Sequence, residues 1–332
     1  MNNFDYAQPD NLDELLDLLS AESDKTELLA GGTDLIGLMK QMIVTPQFVV
    51  NVNDVAEMQG IDTDGAGDLV IGAAVRLDEI RDCPLTEPFD ALRQAIDGTA
   101  NIQFPSQSTL GGELCRRPRC WYFRDGHGLL AENGRMVVDG DNRFHAILGN
   151  GGPAKFVNAS RLAPPLVALG AEVRIAGPKT TDQRQISLEE LYQTPRREGQ
   201  RENVLKRNQV VTAVVIPSSP TVISATYEVH HGQGQDDPLA AAAVAVSLRG
   251  GLVERAKIVL GQVAPIPWVS SEATQDIVGQ PINESTAEAA GLAAVSAALP
   301  LSQNEYKVQL AKVAVKRALL QATTAPTGGV YA

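Results

Sequence analysis

Two glycine-rich turns constrain this chain more than anything else in it: Ala30-Gly31-Gly32-Thr33-Asp34 and Thr109-Leu110-Gly111-Gly112. Each follows a stretch that reads as strand. Adjacent glycines let backbone N–H groups approach an anion without obstruction by Cβ, and a helix after the turn offers its positive end to phosphate. One such turn is equally well explained as a tight strand-to-helix connection with no ligand. Two of them in one chain suggest two pieces of backbone closing on one phosphate-bearing molecule, a dinucleotide first of all. The pattern is not the G-x-G-x-x-G fingerprint of a Rossmann fold. Here the glycines are adjacent, and the next strand ends in Asn51 and Asn53 instead of an acidic residue.

With 332 residues the chain exceeds the usual limit of a single core, so two or three domains are expected. Asn11 caps a helix that places Leu12, Leu15, Leu16 and Leu19 on one face. Residues 27–30 read as a buried strand, 34–43 as a helix ended by Pro46, and 48–52 as the next strand. A second α/β region follows, with strands at 68–73, 171–175 and 210–216. The run Pro217-Ser218-Ser219-Pro220 marks a boundary. Beyond it, strands at 223–229, 241–248 and 253–261 precede helices at 285–299 and 303–321, the order expected of an α+β domain. The last helix aligns Tyr306, Leu310, Val313 and Leu320 in a stripe. The resulting division is 1–58, 59–218 with an insertion at about 113–157, and 219–332.

A net charge of −12 excludes a general nucleic-acid binder, which needs a basic face. No run of 18 apolar residues exists, so no membrane insertion is expected. The first residues are polar and acidic, without the apolar core of an export signal. Three cysteines, Cys83, Cys115 and Cys120, do not make a disulfide framework and fit a reducing compartment. A cytoplasmic location is the expectation.

The order of motifs resembles the FAD-binding, or medium, subunits of the molybdenum hydroxylases, the family of xanthine dehydrogenase, carbon monoxide dehydrogenase and aldehyde oxidoreductase. The residues that carry the resemblance are Ala30-Gly31-Gly32-Thr33-Asp34-Leu35, Ile71-Gly72-Ala73-Ala74-Val75, Thr109-Leu110-Gly111-Gly112, Leu162-Ala163-Pro164-Pro165-Leu166 and residues 211–217. The resemblance implies an α+β chain with the vanillyl-alcohol-oxidase-like (PCMH-type) FAD-binding fold. Two α/β subdomains would be followed by a C-terminal three-stranded sheet with helices. It implies FAD as cofactor, contacted by Leu29, Ala30, Gly31, Gly32, Thr33, Asp34, Leu35, Thr109, Gly111, Gly112 and Leu162. It implies two partners, a large subunit carrying the molybdenum cofactor and a small [2Fe-2S] subunit. Electrons would pass from iron–sulfur clusters through FAD to an external acceptor, with substrate oxidised on the partner. The cofactor supplies the redox chemistry, and no catalytic residue and no metal ligand is assigned to this chain. Two other readings remain: a self-sufficient flavoprotein oxidoreductase of the same fold, and an assembly module that has lost FAD.

Several positions depart from the family pattern. Many members carry Arg where this chain has Phe104-Pro105-Ser106, Asn where it has Glu113, and Asp where it has Arg161. The basic flavin contact of some relatives has no match, because Tyr227-Glu228 falls near that place. Some relatives hold a [4Fe-4S] cluster in the insertion by four cysteines, whereas only Cys115 and Cys120 lie in this one. The expectation is a loop that keeps its scaffold without a cluster, its aromatic residues packing into the space. Arg116, Arg117, Arg119 and Arg124 form either a basic patch for an acidic partner subunit or the FAD phosphates, or a solvated loop with salt bridges. His230 and His231, before Gly232-Gln233-Gly234, read as a surface hairpin.

Overall fold

A computed structural model describes residues 1–332 except 22–24, 100–102, 220, 233–235 and 325–332. Pro220 of the boundary run and Gln233-Gly234 after the paired histidines therefore lie outside the described residues. The chain begins with β1 (Asp5–Ala7), α1 (Leu12–Ala21), β2 (Thr26–Leu29), α2 (Leu35–Lys40) and β3 (Phe48–Asn51). All three strands are parallel, in the order β1-β3-β2. Asn11 Oδ1 accepts the Glu14 N–H at 2.9 Å, and Leu12, Leu15, Leu16 and Leu19 of α1 are buried, as their spacing dictates.

The second unit contains β4 (Ile61–Thr63), β5 (Leu69–Gly72), α3 (Leu77–Asp82), α4 (Asp90–Asp97) and α5 (Leu110–Leu114). The insertion follows with two short helices, α6 (Trp121–Arg124) and α7 (Arg135–Asp139). Then come α8 (Ala163–Ala168), β6 (Glu172–Ala176), β7 (Gln183–Ser187), α9 (Leu188–Leu191) and β8 (Val210–Ile216). The sheet is antiparallel, ordered β4-β5-β8-β6-β7. Its central strand β8 is buried along its whole length, and its one polar residue, Thr212, donates its hydroxyl to the Arg174 carbonyl.

The C-terminal part has long antiparallel strands β9 (Val222–Val229), β10 (Ala240–Arg249) and β11 (Leu252–Gly261), edged by the two-residue β12 (Trp268–Val269). Helices α10 (Ser271–Ile277), α11 (Glu284–Ala294) and α12 (Tyr306–Thr323) follow. Alternate residues of β10 enter different cores. Ala240, Ala242, Val244 and Val246 pack with the helices, while Ala243 and Ala245 join the core of the preceding units. That second core also contains Leu15, Ile71, Leu166 and Val214, so it spans residues of both N-terminal sheets and their helices. Small residues on the C-terminal sheet let α8 approach closely. A methyl group at Gly261 would lie 2.8 Å from Pro164 Cγ.

One expectation fails in α12. Tyr306 is exposed, and Leu310, Val313 and Leu320 are only half-buried. The fully buried face is Lys307, Ala311, Ala314, Val315, Ala318 and Leu319. Alanines pack closely against α11 and the sheet, and a lysine inside that stripe hides it from a hydrophobicity pattern. No helix among the described residues is long and apolar enough to cross a membrane.

Candidate functional site

The two glycine turns meet. Ser108 Oγ donates to Thr33 Oγ1 at 3.1 Å, and an ideal Cβ on Gly31 would stand 1.8 Å from the carbonyl oxygen of Gln107. Only a residue without a side chain allows this crossing of two backbones. Gly32, at φ +70°, turns the chain in the left-handed region from β2 into α2. Around the crossing lies a cleft of about 1280 Å3, its solvent-facing part included. Ala30, Gly31, Gly32, Thr33, Asp34, Leu35, Thr109, Gly111 and Gly112 all line it. Two expected contacts are not on this wall. Leu29 sits beneath the turn, its Cδ1 3.4 Å from where a Gly32 Cβ would be. Leu162 is buried in the main core at the start of α8.

The turns differ in what they offer. The N–H groups of Gly31, Gly32 and Thr33 make no hydrogen bond among the described residues, so this turn presents a row of free donors to the cleft. The second turn offers fewer donors: the Thr109 N–H and hydroxyl make no donated bond among the described residues, but both glycine N–H groups are taken. Gly111 N–H is bonded to Ala73 O at 2.8 Å, and Gly112 N–H to Thr109 Oγ1 at 3.2 Å. Its glycines serve space instead: a methyl group on Gly111 would come 2.9 Å from Ala73 Cβ.

The arginines at the start of the insertion, Arg116, Arg117, Arg119 and Arg124, are spent internally. Arg116 pairs with Glu113 at 3.2 Å and Asp237 at 3.5 Å, Arg117 with Glu202 at 2.6 Å, Arg119 with Asp237 at 2.5 Å, and Arg124 with Asp34 at 2.7 Å. Asp34 also accepts the Arg117 N–H at 2.9 Å, so its carboxylate ties α2 to the insertion. Burial works against the charge of Arg116, but Glu113 and Asp237 hold the guanidinium protonated and raise its pKa. Burial pushes the Glu113 carboxyl upward against the pull of Arg116 and of the Arg161 N–H.

The remaining departures from the family pattern find each other. Arg161 and Glu228 form a buried ion pair, with Nε–Oε1 at 3.0 Å and a second, shorter contact between Nη2 and Oε2. His230 Nε2 lies 3.2 Å from Glu228 Oε2, and that hydrogen bond raises the imidazole pKa.

The insertion folds around Leu38, Cys120, Phe123, Leu129, Leu130, Ala154 and Phe156. Cys120 Sγ lies 3.2 Å from His145 Nε2, and Trp121 meets Phe144 and His145 edge-on. Burial pushes the Cys115 thiol up to about 11 and raises Cys120 as well. Among the described residues no group of three or more His, Cys, Asp or Glu is placed to hold a metal ion.

Sequence reasoning missed one wall of the cleft, formed by Arg201, Glu202, Asn203, Lys206 and Arg207. Arg201 and Arg207 share Glu27, at 3.0 and 3.3 Å, and Lys206 forms no ion pair among the described residues. Glu202 is buried, and its Oε2 has no hydrogen-bond partner. The only available signal was the charged run leading into β8.

Free N–H donors, side-chain-free crossings and an unpartnered buried acceptor suit a ligand with phosphates and hydroxyls. FAD has both, so the residues present fit it. Comparison with known proteins agrees. A family model described as an FAD binding domain in molybdopterin dehydrogenase matches residues 2–219, and one described as a CO dehydrogenase flavoprotein C-terminal domain matches 225–322. The chain is 27% identical to the aldehyde oxidoreductase FAD-binding subunit PaoB of Escherichia coli K12, over 89% of this chain and 91% of that one. It is 26% identical to the carbon monoxide dehydrogenase medium chain of Afipia carboxidovorans, over 96% of each. Among solved structures, carbon monoxide dehydrogenase from Hydrogenophaga pseudoflava superposes with a TM-score of 0.76 at 22% identity, covering 97% of each chain.

Proposed function

The chain belongs to the FAD-binding family of the molybdopterin dehydrogenases, and from that membership we propose that it is the electron-transfer subunit of a molybdenum-hydroxylase-type oxidoreductase. Its partners in this reading are a large chain with the molybdenum cofactor and a small [2Fe-2S] chain. The chemistry that bound FAD supplies is electron transfer between iron–sulfur clusters of a partner and an external acceptor. Everything else falls to this chain's own residues.

The observation that carries the reading is the row of unbonded N–H groups at Gly31, Gly32 and Thr33, lining the cleft beside the crossing with Gln107. They hold the pyrophosphate. Thr109, Gly111 and Gly112 form the opposite wall and give it room. Arginines contribute little charge to that grip, because each insertion arginine already faces a carboxylate. Backbone dipoles therefore do the anchoring. Leu29 and Leu162 act from behind, by fixing the turn and the start of α8.

Purification from its native source tests the assignment. The chain is expected to co-purify with a molybdenum-containing chain and a [2Fe-2S] chain. A flavin-containing protein that purifies alone and turns over a substrate by itself contradicts it.

A further inference from the structure

We propose that Glu202 is a cofactor-positioning residue. One of its oxygens is held by the protein, and the other accepts a hydrogen bond from a neutral O–H or N–H donor of FAD. The proposal rests on the FAD reading above.

Glu202 lies in the segment leading into β8 and lines the cleft, joined through Arg117 to Asp34 of the first turn. Its backbone is fixed. Gln193 N–H donates to Glu202 O at 3.0 Å, and Gln193 Nε2 donates to the flanking carbonyls of Arg201 and Asn203 at 3.0 and 2.8 Å. Its side chain is fixed too. Arg117 Nε donates to Oε1 at 2.6 Å, and Arg117 is held in turn by its N–H bond to Asp34 and by the Phe123 ring 5.0 Å away. Oε2 is then left buried at the cleft wall without a partner among the described residues. A buried carboxylate oxygen with no donor is costly, and a rigidly held one cannot turn to find water elsewhere. The cations nearby do not serve it, since Arg201 and Arg207 bond to Glu27.

The occupant of that position follows from charge. A carboxylate repels phosphate, so the pyrophosphate stays at the first turn and a neutral donor faces Oε2. FAD carries such donors in the N3–H of its flavin ring, its ribityl hydroxyls, its ribose hydroxyls and its adenine amino group.

Glu202→Gln tests this. Gln keeps an oxygen for Arg117 but turns the second position from acceptor into donor, against the donor of the ligand. Binding is read by titrating cofactor into the full chain stripped of FAD, in its complex where it is obtained as one. The expected result is FAD affinity lowered about 10- to 100-fold, the worth of a hydrogen bond to a charged group. FMN and ADP locate the donor. A loss shared by FAD and FMN puts it on the flavin–ribityl half, and a loss shared by FAD and ADP puts it on the adenosine half. Equal FAD affinity of wild type and Glu202→Gln overturns the proposal. Failure of the wild-type chain to bind FAD overturns the reading beneath it instead. Thermal melting without cofactor checks folding. If Glu202→Gln does not fold, Glu202→Asp takes its place, withdrawing the free oxygen by one methylene, with the same expected and contrary results.

Discussion

At Gly31 the cost of a single methyl group can be read from geometry. Its Cβ would overlap the Gln107 carbonyl, so Gly31→Ala must push the two glycine turns apart. We expect a loss of about 1–3 kcal/mol in stability and of most FAD retention. Gly151→Ala, with nothing within 4 Å, is expected to change neither. Chemical denaturation and bound-flavin content check both. Arg161 and Glu228 give a second prediction. Removing one partner leaves a buried charge, so Arg161→Met alone should cost about 3–5 kcal/mol, whereas Arg161→Met with Glu228→Met should recover most of it. Strictly additive losses would show that the two residues act independently. These residues also mark the limit of reading a single sequence. Glu113 and Arg161 each read as a loss from the family pattern. Glu113 is compensated by Arg116 three positions on, but Arg161 by Glu228 across 67 positions, a pairing that no local pattern displays.

Among the elements, α12 and the insertion hold the clearest surprise. Lys307 is buried, and its ammonium donates to the carbonyls of Phe144, His145 and Gln262 at 3.0, 3.3 and 2.7 Å, joining the helix to the insertion and to the end of β11. Burial brings its pKa down to about 7, and burial together with Lys307 brings His145 down to about 4. The sign follows by linkage. Between about pH 7 and the usual lysine value of 10.5, the unfolded chain binds a proton that the folded chain does not, so stability rises with pH in this window. His145 acts the same way at lower pH, with stability lost as pH falls from 6.5 toward 4. Urea denaturation should show Lys307 adding a slope of up to ~1.4 kcal/mol per pH unit between about pH 7 and 9, below the range where the buried Cys115 thiol works the other way, and Lys307→Met should remove it. An unchanged slope would contradict a buried Lys307 that gives up its proton near pH 7. Regular elements such as α1, α2 and β8 were legible because their spacing and stop signals are strong. The buried face of α12 was not, because alanines and one lysine define it.

At the scale of the whole molecule, one core runs under both N-terminal sheets and one face of the C-terminal sheet, and the glycine turns cross above it. The order of motifs was enough to read that architecture and its cofactor. The wall formed by residues 201–207 stayed hidden, since it lines the cleft only after folding. The same holds for the unequal roles of the turns, one offering donors and the other space. The central claim is that this cleft holds FAD, and the visible absorption spectrum of the purified full chain tests it most directly. The account predicts the absorption bands of an oxidised flavin, with FAD released on denaturation in amounts equimolar with the chain. A colourless protein that takes up no added FAD would contradict it.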